Sequence, residues 1–121
     1  VTDAQSHVRQ AIAHVLLTAG LQPLDINALA AATHTTGAVV QQALMALGKE
    51  RRVVKLADLW FHADVLAELR DQVRALGAGA VFDVAAAKAR FGVSRKFAIP
   101  LLEHLDRERI TRRVGDKRLV L

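Results

Sequence analysis

The chain has 121 residues, enough for one domain of ordinary size or two small ones. It contains no cysteine, which excludes disulfides and thiolate metal sites and fits a reducing compartment. Its net charge of +5 is unevenly placed: residues 1–76 hold seven Lys/Arg against seven Asp/Glu, and residues 77–121 hold ten against five. A surplus concentrated in this way is the footprint of a polyanion site. No apolar run reaches membrane-spanning length and no charged-then-apolar leader is recognised, so neither secretion nor membrane insertion is expected. Because the chain opens on Val rather than Met, a fragment or a processed product is expected.

Residues 5–19 carry Val8, Ile12, Val15, Leu16 and Ala19 at helical spacing and stop at Gly20, which predicts a core-facing helix. A connection containing Pro23 follows, and Asp25 is a good N-cap for a short helix through Ala32. The polar stretch 33–36 makes a turn and the next cap. Over 37–48, Val40, Ala43, Leu44 and Leu47 point one way, and the first turn of that helix, Gly37 and Ala38, is neutral. Residues 53–56 and 59–61 read as a β-hairpin turning at Ala57 and Asp58. Lys49, Arg51, Arg52 and Lys55 could make a modest basic patch at the wing but read first as a solvated face, and Trp60 as packing rather than base stacking.

Val65, Leu66, Leu69, Val73 and Leu76 form one stripe of a helix over 63–76, closed by Gly77 and Gly79. With hardly any linker before it, a fairly fixed relation between the two halves is expected. Val81 and Phe82 predict a short strand, Asp83 a cap, and 84–90 a helix ended by Gly92. Ser94 is the expected N-cap of the next helix, its side chain accepting from a free N–H of the turn that follows. Arg95 and Lys96 then occupy the first turn, where the helix dipole disfavours cations by a few tenths of a kcal/mol up to about 1 unless an anion is near. Ile99, Leu101, Leu102 and Leu105 supply the apolar stripe, and Pro100, past the first turn, predicts a bend. Gly115 and Asp116 then mark a two-residue turn that sets Arg113 opposite Arg118. On this register Ile110, Val114, Leu119 and Leu121 look inward, Arg112 falls on that inward set, and the Arg113 and Arg118 pair is favourable only against an anion.

Sliding the chain by about 58 residues superposes Asp25 on Asp83, Leu44 on Leu102, Arg51 on Arg109 and Asp58 on Asp116. The expected fold is therefore mainly helical α+β: two tandem winged helix-turn-helix domains, 1–62 and 63–121, each of three helices and a small β-hairpin wing. No GxxxxGK[ST] loop or hydrolase signature is present. The five histidines lack the spacing of a zinc pair, and Glu103 and Asp106 read as partners of nearby arginines, so no enzyme is expected. Winged helices bind DNA, RNA or protein, so fold alone does not choose. A regulator reading duplex DNA is disfavoured because the middle of the last helix offers no Arg, Asn or Gln to base edges. A protein-interaction or spacer role fits residues 1–62, whose helix start is uncharged.

The stretch SRKFAIPLLEHLD, from Ser94, followed by TRRVGDKR, from Thr111, resembles the last winged-helix domain of the selenocysteine-specific elongation factor SelB. The family pattern is close to SRKYxIPLLExLDxxxxTxRxGDxR, and the likeness is specific over residues 82–121. Phe97 stands where the family usually has Tyr. The resemblance implies an RNA-binding module that holds an mRNA hairpin (SECIS) and tethers the factor for UGA recoding. It implies as contacts Ser94, Arg95, Lys96, Arg112, Arg113, Asp116, Lys117 and Arg118, with Asp116 either shaping the turn or accepting hydrogen bonds from an extruded base. It further implies a cytoplasmic, monomeric translation factor that reaches the ribosome and selenocysteyl-tRNA through its full length. No cofactor is expected in this chain, GTP being expected only for upstream domains.

Overall fold

A computed structural model describes residues 3–121. The chain divides into two compact units between Val65 and Leu66. The first contains α1 (Asp3–Ala19), α2 (Ile26–Ala32), α3 (Gly37–Lys49), β1 (Val53–Leu56) and β2 (Leu59–His62). Each short helix starts where a side chain can satisfy a backbone donor. Asp25 Oδ1 accepts from Ala28 N at 2.8 Å, and Thr36 Oγ1 accepts from Val39 N at 3.3 Å. Ile12 and Leu16 of α1 meet Leu29 of α2, Val40, Leu44 and Leu47 of α3, and Val53 of β1 in a closed core. Helical spacing of the apolar residues dictates this packing.

The second unit continues α4 (Ala63–Arg74) and adds β3 (Val81–Asp83), α5 (Val84–Phe91), α6 (Arg95–Arg107), β4 (Thr111–Val114) and β5 (Lys117–Val120). Asp83 Oδ1 caps α5 by accepting from Ala86 N at 2.8 Å, and Gly92 ends that helix at φ 67°, a left-handed position that glycine adopts cheaply. Ala98, Leu101, Leu102 and Leu105 of α6 are buried, as are Ile110 and Val120. The helix runs through Pro100 without a break, so the expected bend is not an interruption, although proline leaves the Lys96 carbonyl without its usual N–H partner.

The second fold repeats several of the first's backbone exceptions. Caps Asp25 and Thr36 answer to Asp83 and Ser94, and the left-handed residues His34, Arg51 and Ala57 answer to Gly92, Arg109 and Gly115. One strand is not repeated. β3 pairs with β5, giving the order β3-β5-β4, whereas the first sheet has only β1 and β2. The position answering to Val81 is Pro23, which has no N–H to give to a ladder.

The wing register is the expected one, Arg113 opposite Arg118 and Val114 opposite Lys117, and Ile110 is buried as expected, but along the strands the faces are reversed. Val114 and Leu121 are 50% and 54% exposed, while Arg118 is only 6% exposed. Arg112, expected inside, is exposed. The reason is a carboxylate. Asp106 Oδ2 accepts from Arg118 Nε at 3.0 Å, so the guanidinium enters the interior already paired. Arg113, opposite it, donates from Nε to the Gly115 carbonyl at 2.9 Å.

Candidate nucleic-acid interface

One face of α6, the start of α5 and the wing enclose a groove of about 540 Å³. Arg95, Ile99, Glu103 and Asp106 line it from α6, their spacing placing them one above another on a single helical face. Asp83, Val84 and Ala85 close one side, and Arg113, Asp116 and Arg118 of the wing the other. Four of the eight expected contact residues thus share this groove: Arg95, Arg113, Asp116 and Arg118.

The other four lie elsewhere. Ser94 is exposed at the head of α6, where its side chain makes no capping hydrogen bond, contrary to expectation; only its carbonyl is used, accepting from Phe97 N and Ala98 N. Asp25, Thr36 and Asp83 all cap with their side chains, so α6 is the exception. Lys96 rests its Nζ 5.4 Å from the centre of the Phe97 ring. Arg112 and Lys117 are exposed wing residues outside the groove lining.

The groove is not uniformly positive. Its three guanidinium groups face four carboxylates, Asp83, Glu103, Asp106 and Asp116. Asp106 is fully engaged, its Oδ1 accepting from Thr111 Oγ1 at 2.7 Å while Oδ2 holds Arg118. Arg118 therefore ties the wing to α6 through Nε while it also lines the groove. Asp83 is half-spent on its cap. What stays available is Arg95 and Arg113 as donors beside Glu103 and Asp116 as acceptors. Cations of this kind take phosphate oxygens, and carboxylates take base amino groups, which a slot lined by cations alone would not distinguish.

Glu103 in the groove lining, and Asp106 with its partner Thr111, are the groups whose placement the sequence did not reveal. Glu103 and Asp106 were assigned to nearby arginines, yet Asp106 pairs with Arg118, twelve residues away. The signal was the spacing of 95, 99, 103 and 106, which places the two acids under Arg95. His104 lies on the same helix outside the groove; partial burial lowers its pKa below the usual 6.5, with Glu108 opposing and Arg107 adding to the shift. Among the described residues, no group of three or more His, Cys, Asp or Glu could hold a metal ion, and no helix is long and apolar enough to cross a membrane.

Residues 74–120 match the family model described as elongation factor SelB, winged helix. The chain is 31% identical over 124 aligned residues to the selenocysteine-specific elongation factor of Desulfomicrobium baculatum, a match covering 96% of this chain and 19% of that protein. It therefore spans about a fifth of that relative's length. Among solved structures, the mRNA-binding domain of elongation factor SelB from E. coli in complex with SECIS RNA superposes with a TM-score of 0.78 at 26% identity, over 99% of this chain and 98% of that one. A bacterial selenocysteine-specific elongation factor, EF-Sec, gives a TM-score of 0.74 at 20% identity over 100% of this chain and 20% of its own, a likeness of fold.

Proposed function

We propose, from the premise that residues 74–120 are a winged helix of the SelB elongation-factor family, that the second module binds a folded mRNA hairpin and so tethers a longer translation factor to its message. The reading is of a binding module, and no catalytic step is assigned to it. What carries it is the groove: Arg95, Arg113 and Asp116 on one surface, next to a helix start whose Ser94 side chain is uncommitted. Likeness to an mRNA-binding domain solved with SECIS RNA supports the same partner class.

In this reading a phosphate sits at the first turn of α6. It removes the conflict between the helix dipole and the charges of Arg95 and Lys96, and can accept from Ser94 Oγ. Arg113 holds the backbone from the wing. Glu103 and Asp116 receive the amino groups of unpaired bases, which loops and bulges expose and an A-form stem hides. Arg118 contributes by holding β5 against α6. Arg112 and Lys117 meet RNA that wraps the outside of the wing. The first module, with Gly37 and Ala38 where the second has Arg95 and Lys96, acts as an extension toward the rest of the factor. Engagement of the ribosome and of selenocysteyl-tRNA, and use of GTP, belong to the full-length factor.

The test is a titration of the chain with a bulge-containing RNA hairpin, a matched plain hairpin and a DNA duplex at several salt concentrations. Three or four phosphate contacts give a log-log salt slope of about −2 to −4. The bulged hairpin is expected to bind tightest; equal binding of all three ligands overturns the reading.

A further inference from the structure

The second module carries another feature, formed by the end of α4, β3 and α5. A cavity of about 220 Å³ lies there, lined by Leu76, Phe82, Ala86, Ala87 and Phe91, with Arg90 in its wall. Ala86 and Arg90 are exposed, so the cavity has a mouth. A space of roughly 150 Å³ holds a benzene ring, so this one takes a large apolar side chain. Comparison with the first module shows how the space arises. Counting from the caps Asp25 and Asp83, Ala87 answers to Leu29, which fills the core of the first module at 1% exposure. Alanine withholds that branched side chain and leaves a hollow in place of a packed layer.

Two more differences fall on the rim. Arg90 answers to Ala32, and among the described residues no carboxylate pairs with its guanidinium. Val81 answers to Pro23 and belongs to a strand that β5 covers on one side only. The ladder runs toward β5, with Val120 N donating to the Ala80 carbonyl at 2.8 Å, and no other strand among the described residues takes the opposite edge. Val81 is 56% exposed. An open edge offers backbone donors and acceptors to an extended chain. Three changes between the modules thus set a hollow, an unpaired cation and a strand edge side by side.

We infer that the cavity and the open edge of β3 form a docking site for an extended acidic segment of a protein partner. The segment adds a strand to β3, seats one apolar side chain in the cavity and sets a carboxylate against Arg90. Side chains two apart on a strand share a face, so an apolar residue and an acidic one at that spacing serve both contacts. A single guanidinium beside an apolar lining suits a carboxylate better than a nucleic-acid backbone, which calls for several cations. The strand edge favours a peptide over a free small acid. Where β3 turns into α5, Asp83, Val84 and Ala85 go to the hairpin groove, whereas Phe82, Ala86 and Ala87 go to this cavity. The two ligands have separate seats, and the inference does not rest on the hairpin reading.

The probe is the fluorescently labelled heptapeptide Thr-Glu-Val-Phe-Val-Glu-Thr, which puts its phenylalanine and both glutamates on one face, titrated by anisotropy into the chain and its variants. Saturable binding is expected. Exchanging both glutamates for lysine, or methylating the peptide's backbone amides, should weaken it about tenfold. Ala87→Leu, which restores the residue the first module uses, should also cost about tenfold while the melting temperature holds or rises. Arg90→Ala should cost about threefold, a loss that high salt erases. Val81→Lys, on the exposed edge, should weaken binding as well and does not depend on Ala87→Leu folding. All three variants should keep bulged-hairpin affinity within about twofold. No saturable binding of the heptapeptide, or unchanged binding by Ala87→Leu, Arg90→Ala or Val81→Lys, overturns the site. So does a loss of hairpin affinity in Ala87→Leu, which would give the cavity to RNA, or self-association of the chain abolished by Ala87→Leu, which would give it to a second copy.

Discussion

At the junction of last helix and second strand, the first module packs Trp60 against Gly48, and the second, at the matching positions, buries Arg118 against Asp106. The last helices are equal in length, and the wing registers and the left-handed residues at elbow and wing turn agree so closely between the modules that the scaffold itself decides neither choice. An aromatic lock contributes burial and takes no charge into the interior. An ionic lock places a carboxylate and a guanidinium in the lining of a groove, at a desolvation cost, and keeps both from being free charges. Together with Arg95 and Lys96 in place of Gly37 and Ala38, this exchange makes one of two similar folds into the candidate hairpin reader. Function is thus carried by a few substitutions on a duplicated frame.

The comparison breaks most severely at Asp106. Asp106→Ala leaves Arg118 buried without its partner and should cost the second module about 3–5 kcal/mol, enough to unfold a unit of this size. Trp60 is the chain's single tryptophan and reports the first module. Melting followed by circular dichroism should therefore fall well below melting followed by Trp60 fluorescence. Coincident, unshifted transitions would show that the ionic lock does not hold the wing.

Arg95→Ala with Lys96→Ala should weaken binding of a bulged hairpin about thirtyfold, about 2 kcal/mol, without loss of stability. Relief of the first-turn conflict should even raise the melting temperature slightly. Ala57→Gly gives the first wing the residue its turn geometry favours. With φ 56° at Ala57 and φ 63° at Gly115, the change should stabilise the first module by about 0.5–1 kcal/mol, seen as a higher melting temperature by Trp60 fluorescence. The smallest effect belongs to His104. Its folded pKa is lowered, so the unfolded chain binds the proton more readily, and stability present above pH 6.5 is progressively lost below it. His104→Gln should narrow the difference in melting temperature between pH 7.5 and pH 5.5.

Much of this was legible in the residues. Apolar spacing and caps such as Asp25 and Asp83 gave the helices, because the forces that set them act within a few positions. The wing register followed from Gly115 and Asp116 for the same reason. Which wing face lies inside was not legible. Alternation alone placed Arg118 in solvent, and only a carboxylate twelve residues away, on another element, makes its burial favourable. The groove's mixed charge escaped for a similar reason, since Glu103 and Asp106 look locally like partners of the arginines that follow them. Ser94 takes the cap position as expected but its side chain makes no capping bond, because type shows what a side chain can bond, and the fold decides whether it does.

The most direct test is a map of backbone amide shifts as a bulged mRNA hairpin is titrated into the labelled chain. Large perturbations are predicted at Arg95, Lys96, Ile99, Glu103, Arg113 and Asp116, with Gly37, Ala38 and Val39 at the matching helix start unmoved. Perturbations centred on that first helix start, with residues 95–116 silent, would contradict the account.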